Sequence, residues 1–245
     1  RTADCAPFMA FSGELAAADS PEGLLDRVTA FYQTRGVGLL GMGQVFRARR
    51  TGDGAELVPV EDRPPVRLAD LVGYRQQKDL LIRNTEAFLR GKGSNNVLLY
   101  GDAGTGKSTS IQALVNEYAD QGLRLIELYK EQYDLIPDIL RQVKGRNYRF
   151  LLFLDDLSFE ENETSYKYLK AVMEGGAEAP PENVRICATS NRRHLIKETL
   201  SDRSGDDIHE ADTRQELMSL SARFGLTVTF QRPDKVRFEE ILLDL

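Results

Sequence analysis

Apolar residues along this chain follow two rhythms. Between 20 and 35, Leu24, Leu25, Val28, Phe31 and Tyr32 recur every three to four positions behind Ser20 and Pro21. That spacing predicts an amphipathic helix, capped by the serine and started by the proline. A second helix is predicted over 74–90, where Leu80, Leu81, Ala87 and Phe88 keep the helical spacing and Gly91 and Gly93 close it. Elsewhere the rhythm gives way to short, mostly apolar runs at 97–100, 123–128, 150–154, 184–188 and 226–230. Runs of this kind read as strands buried on both faces, and helical patterns separate the first four. They predict an α/β fold, a mostly parallel five-stranded sheet flanked by helices. Ahead of them, 45–60 splits into two strand-like halves around Thr51-Gly52-Asp53-Gly54, a hairpin signal, and Pro64-Pro65 then punctuates the chain. The expected organisation is an N-terminal helix and hairpin region over 1–66 and an α/β core over 67–245.

Composition narrows the class. The 245 residues carry 32 basic and 38 acidic side chains, a net charge of −6, and 41% are hydrophobic. That is enough chain for a large α/β core without a disulfide staple. Cys5 and Cys187 lie far apart, and Cys187 sits inside an apolar run. Two inert thiols in a reducing, cytoplasmic setting are expected, and a secreted disulfide scaffold is excluded. No stretch approaches 18 consecutive apolar residues, and no basic segment followed by an apolar one opens the chain, which argues against a membrane span or a signal peptide. The acidic balance argues against binding nucleic acid or lipid through overall charge. Local basic clusters remain at Arg192-Arg193-His194 and at Lys144, Arg146 and Arg149, while 201–213 is acidic and reads as a surface loop. The chain opens on Arg1 and stops at Leu245 within a helical pattern, so a fragment of a longer protein is expected.

The chemistry begins after the first buried strand. Gly101-Asp102-Ala103-Gly104-Thr105-Gly106-Lys107-Ser108 fits G-x-x-x-x-G-K-[ST], and Thr109 continues into the next helix. Glycines let successive backbone N–H groups curl around phosphate oxygens, and the helix beginning near Lys107 adds the positive end of its dipole. Lys107 would neutralise the β- and γ-phosphates of ATP, or the phosphates of ADP, and the Ser108 hydroxyl would ligate Mg²⁺. Residue frequencies give about one accidental match per hundred chains of this length, and the strand before and helix after reduce that further. The strand at 150–154 ends in Asp155-Asp156. Ionised carboxylates cannot stay inside a dry strand, so they belong at its C-terminal tip, where open α/β sheets place their ligands. Asp155 is expected to hold Mg²⁺, and Asp156 to orient or deprotonate the attacking water.

Taken in order, the phosphate loop, Asp155-Asp156, the strand ending in Thr189-Ser190-Asn191 and Ser221-Ala222-Arg223-Phe224 before the last strand resemble the AAA+ P-loop ATPases. Leu154-Asp155-Asp156-Leu157-Ser158-Phe159 with Thr189-Ser190-Asn191-Arg192-Arg193-His194-Leu195 looks like a bacterial AAA+ ATP-binding family characterised only as a domain of unknown function. The resemblance implies that Asn191 is a sensor holding the attacking water. It implies that Arg223 is an arginine finger acting on a neighbouring subunit, hence a homo-oligomer, and that Val72 and Gly73 pack against adenine. Asp156 stands where AAA+ enzymes usually place Glu, and only 231–245 follows the last strand, so the C-terminal helical lid is expected to be mostly absent. Two functions follow: an ATPase driving conformational change on a protein or nucleic-acid client, or a non-hydrolysing, nucleotide-gated binding module. A GTPase is disfavoured because no Asn-Lys-x-Asp signature is present, and an ABC-type ATPase because no Leu-Ser-Gly-Gly-Gln appears.

Overall fold

The computed structural model describes residues 6–35, 38–52, 54–158, 166–175, 180–191, 219–233 and 238. The chain begins with helices α1 (Ala6–Ala16) and α2 (Pro21–Arg35), followed by the short α3 (Leu39–Met42). The α2 start is the one its sequence predicts, since the Gly23 amide donates to Ser20 Oγ at 3.0 Å. Phe11 and Phe31 stack with ring centroids 3.8 Å apart and hold α1 to α2. Strands β1 (Val45–Thr51) and β2 (Gly54–Pro59) form an antiparallel hairpin. Then come α4 (Arg75–Leu89), β3 (Val97–Gly101), α5 (Lys107–Tyr118), β4 (Leu123–Leu128), α6 (Ile136–Val143), β5 (Arg149–Leu154), α7 (Tyr166–Met173), β6 (Val184–Ser190) and β7 (Leu226–Phe230).

All five apolar runs are strands, and the mostly parallel, helix-flanked sheet holds. The strand number is corrected from five to seven, in the order β2-β1-β4-β5-β6-β3-β7. The hairpin accounts for the difference. Its strand β1 pairs in parallel with β4, Val45 opposite Leu125 and Arg47 opposite Glu127. Between the edge strand β2 and β4, β1 buries Val45, Phe46 and Ala48 while Arg47, Arg49 and Arg50 are exposed. Those three arginines meet acids, Arg47 with Glu127 at 3.0 Å, Arg49 with Glu56 at 2.7 Å and Arg50 with Asp134 at 2.8 Å. The hairpin therefore presents no free basic face.

The central strands bury both faces, which is why their sequences lack alternation. On one face Phe150, Leu152, Leu154, Ile186 and Ala188 pack with Ile139 and Leu140 of α6 and Leu169 and Val172 of α7. On the other Val97, Leu99, Leu151, Phe153, Cys187 and Val228 pack with Leu81 and Phe88 of α4 and Ile111 and Leu114 of α5. Among the described residues no helix is long and apolar enough to cross a membrane. The acidic stretch 201–213, the Arg192-Arg193-His194 cluster, Cys5 and all of the expected C-terminal helix except Phe238 lie outside the described residues.

Candidate functional site

Strand order reverses at β3. The chain leaves β3 through α5, returns three places away at β4, fills back through β5 to β6, and then places β7 on the far side of β3. A crevice opens at such a reversal beyond the C-terminal strand ends, and the phosphate loop lies there, between Gly101 and the start of α5.

Glycine at 101 is required by the fold. Its φ of 140° is a conformation side chains rarely adopt, and a Cβ there would stand 1.8 Å from the carbonyl oxygen of Phe230. That approach lets the Asp102 amide donate to the Phe230 carbonyl at 3.0 Å, while the Arg232 amide donates to Asp102 Oδ2 at 2.9 Å. The exit of β7 is thus fastened to the loop. Gly104 and Gly106 also take positive φ, 76° and 88°. The Thr105 hydroxyl donates to the Asp102 carbonyl at 2.8 Å and closes the curl, and Ala103 stands exposed at its tip. With Lys107, Ser108 and Thr109 opening α5, the first amides of that helix face the loop without intrahelical partners.

Lys107, only 6% exposed, donates to the carbonyls of Gly101 at 2.9 Å and Asp102 at 2.7 Å and to Asn191 Oδ1 at 3.0 Å. Burial pushes its ammonium below the ordinary lysine value, and Asp102, Asp155 and Asp156 oppose that shift. An incoming phosphate would relieve the same desolvation.

From Lys107 a closed circuit of hydrogen bonds runs through three strand ends. The Asn191 amide donates to Asp156 Oδ1 at 2.9 Å. The Asp156 backbone N–H donates to Thr189 Oγ1 at 2.9 Å, and that hydroxyl donates to Asp155 Oδ1. Ser108 Oγ donates to the same carboxylate oxygen at 2.6 Å, next in sequence to the lysine where the circuit began. Asp156 sits at φ 52°, in the left-handed region that Asp and Asn tolerate better than most residues. This turn brings its carboxylate back toward Asn191. Thr189, 2% exposed, joins Asp155 to Asp156, a link that the sequence reading missed. Its signal was a hydroxyl at the end of an otherwise apolar strand.

Ser108 and Asp155 supply a hydroxyl and a carboxylate in direct contact, the hard oxygen donors that Mg²⁺ accepts alongside waters and substrate phosphates. They fit that ion. Upstream, Leu71 reaches to 3.5 Å from where a Gly106 Cβ would stand, and Gly73 and Tyr74 turn the chain at φ 76° and 50°. Lys78 Nζ holds this segment through the carbonyls of Leu68 at 3.3 Å and Leu71 at 2.8 Å. The Tyr74 hydroxyl donates to the Gln231 carbonyl at 2.8 Å. The Val72-Gly73 stretch therefore lies on a strap fastened beside the loop.

Arg223 is not brought to this site. It precedes β7, whose Leu226 amide donates to the Asn96 carbonyl at the start of β3. The phosphate loop follows the other end of β3, about 17 Å away at the rise of a parallel strand. Arg223 pairs instead with Glu174 at 3.6 Å.

A family model described as "Protein of unknown function (DUF815)" matches residues 43–245. The chain is 36% identical over 90 residues to the replication factor C large subunit of Staphylothermus marinus, covering 36% of this chain and 21% of that protein. It is 31% identical over 104 residues to the same subunit of Methanococcus vannielii, covering 40% of this chain and 21% of that one. The matched part is thus about a fifth of these relatives. Among solved structures, the Thermotoga maritima RuvB Holliday junction branch migration motor superposes with a TM-score of 0.48 at 19% identity, over 75% of this chain and 55% of that one. A point variant of that RuvB gives 0.49 at 19% identity over the same shares.

Proposed function

The chain belongs to the DUF815 family, and from that premise we propose that it is an AAA+ P-loop ATPase that binds ATP with Mg²⁺ and hydrolyses it to drive a change of shape on a macromolecular client. The observation that carries this reading is the closed circuit Lys107, Asn191, Asp156, Thr189, Asp155, Ser108. It surrounds the point where the loop backbone would hold a γ-phosphate, and it joins the group that would bind that phosphate to the groups that would act on water beside it.

Residues 101–109 cradle the phosphates through backbone N–H groups, with Lys107 as the charge that neutralises them. Val72 and Gly73 lie along the base. Ser108 and Asp155 would hold Mg²⁺, which when bound neutralises charge on the β- and γ-phosphates. The Asn191 side chain bridges Lys107 and Asp156, so it is placed to hold a water between phosphate and carboxylate. In the hydrolytic step the water oxygen forms a bond to the γ-phosphorus and the bond to the bridging oxygen breaks. Asp156 accepts the water's proton, and ADP and inorganic phosphate leave. With its finger residue at the far end of β3, Arg223 acts on the nucleotide of another copy, making the working form a homo-oligomer. Two widely separated thiols and the acidic charge suit the cytoplasm, and residues 1–66 form an accessory region whose hairpin extends the sheet.

Steady-state ATP hydrolysis measured against protein concentration tests this, with Lys107→Ala and Arg223→Ala as controls. Specific activity should rise with concentration and vanish in Lys107→Ala. Tight nucleotide binding with no turnover at any concentration would instead assign a nucleotide-gated binding module.

A further inference from the structure

At the end of the sheet where the parallel strands begin lies a polar cavity of about 290 Å³, lined by Ser94, Asn96, Pro180, Arg185 and Arg223 among others. Arg185 is built into its wall. Nε donates to the Ser94 carbonyl at 3.2 Å and to Ser94 Oγ at 2.9 Å, and Nη1 to the carbonyls of Val184 at 2.7 Å and Glu182 at 3.4 Å. The guanidinium also lies over the Phe88 ring, 5.1 Å from its centroid. Every one of these acceptors is neutral. Among the described residues Arg185 makes no ion pair, and its Nη2 has no acceptor. A second guanidinium, Arg149, shares the same ring at 5.6 Å. Burial and then the Arg149 charge lower the Arg185 pKa, and the Glu182 charge opposes them.

An arginine on a free surface is solvated and mobile. Arg185 is held rigid and partly dry, so its ordering entropy is already spent, and among the described residues its charge is met by no direct ion pair, an arrangement that favours an incoming oxyanion. The opposite end of the sheet supplies the complement, with Asp102, Asp155 and Asp156 exposed around the phosphate loop. Head-to-tail contact between two copies sets one end of the sheet against the other.

We propose that Arg185 is a second cation beside Arg223, and that this cavity receives the terminal phosphate of the nucleotide held by a neighbouring copy. Arg185 is the fixed member in the wall, and Arg223, half exposed and paired among the described residues with a surface glutamate, is the movable one at the mouth. The inference rests on the reading of Arg223 as acting between copies.

The test uses the full chain and mixtures of its variants. Arg185→Ala removes the cation, and Ser94→Asp leaves it in place but sets a carboxylate against Nε, so one variant remains informative if the other folds poorly. Each should lower ATP turnover at least about tenfold, with affinity for a fluorescent ATP analogue within about threefold of the parent. Mixed with Lys107→Ala, which has an intact cavity but a disabled loop, Arg185→Ala should regain turnover well above the sum of the two alone. The proposal is overturned if Arg185→Ala and Ser94→Asp keep turnover within twofold. It is also overturned if their mixtures with Lys107→Ala regain nothing while the Arg223→Ala mixture does. If the Arg223→Ala mixture fails as well, the between-copies reading falls and takes this one with it. Should the parent chain not hydrolyse ATP, self-association driven by a slowly hydrolysed analogue is read by sedimentation. Arg185→Ala should weaken it about tenfold, and unchanged association rejects the proposal.

Discussion

Where strands β3, β5 and β6 end, the candidate site side chains find partners within the same chain: Lys107 has Asn191 and two carbonyls, and Asp155 has Ser108 and Thr189. Where β4, β5 and β6 begin, arginines stand instead, Arg124, Arg149 and Arg185. They solve their burial differently. Arg124, 5% exposed, spends its donors on the carbonyls of Leu40, Ala119 and Leu123 and lies 4.2 Å from the centroid of Tyr148. Arg185 keeps a donor unspent beside an open cavity. Among the described residues the finishing end is a network of mutual hydrogen bonds, and at the starting end Arg124 spends its donors within the chain where Arg185 does not. On the proposed reading, the two ends of the sheet are halves of one site that a single copy cannot bring together.

The harshest challenge to this contrast is Gly101→Ala. A Cβ 1.8 Å from a backbone carbonyl has no flexible neighbour to displace, and φ of 140° adds strain. The β3–β7 junction should open, with a loss on the order of 4 kcal/mol or more in chemical denaturation. A variant melting within a few degrees of the parent would mean that the finishing end is not the rigid network described. Next comes Asp156→Asn. Asparagine tolerates the left-handed φ and keeps the size of the side chain, so what is lost is the negative charge beside Lys107 and with it the ability to take a proton. Turnover should fall about 10²- to 10⁴-fold while nucleotide affinity stays within about threefold. Equal activity would move the base elsewhere. A smaller effect separates the two arginines. Arg124→Met leaves two buried carbonyls and one half-buried carbonyl short of a donor and should lower stability by about 2–3 kcal/mol, without changing turnover per folded molecule. Arg185→Met should show the reverse order, a smaller loss of stability, since its acceptors are half-buried or exposed rather than fully buried, and a lower turnover.

The sequence made the finishing end legible and left the starting end obscure, for physical reasons. Phosphate chemistry needs glycines, a lysine and a hydroxyl at fixed offsets in one continuous segment, so 101–108 is readable as a string. Asp155, Asp156 and Asn191 follow once strand ends are located, because charged and amide groups stop apolar runs. The circuit itself was invisible. It depends on Asp156 turning left-handed and on Thr189 reaching across from β6, and neither follows from spacing. The hairpin was recognised as local structure, but its pairing with β4 is a long-range event that alternation in 45–51 cannot announce. Arg124, Arg149 and Arg185 looked like ordinary strand-boundary charges. That Arg149 and Arg185 share one sheet face over Phe88 while Arg124 lies on the other needs the strand order and register, which only the fold provides.

Cys187 lies midway between the two ends on β6, two residues beyond Arg185 and two before Thr189, and it is 2% exposed. If both ends are distinct wet sites separated by a dry layer, this thiol reports on the layer. Burial pushes its pKa up from 9.0 to about 12. The raised value belongs to the folded state, so the unfolded thiol ionises first and folding is penalised as pH climbs from 9 toward 12. Below 9 both states hold the proton and the group contributes no pH dependence. In a Cys5→Ser background, the denaturation midpoint should therefore fall more steeply above pH 9 than it does in the same chain carrying Cys187→Ala. The difference isolates this thiol from Lys107 and Tyr118, which titrate identically in both. At pH 8 the thiol should react with an aromatic disulfide no faster than the protein unfolds. Prompt reaction in the native state would reveal water reaching the middle of β6, and the two ends would then have to be treated as one connected channel.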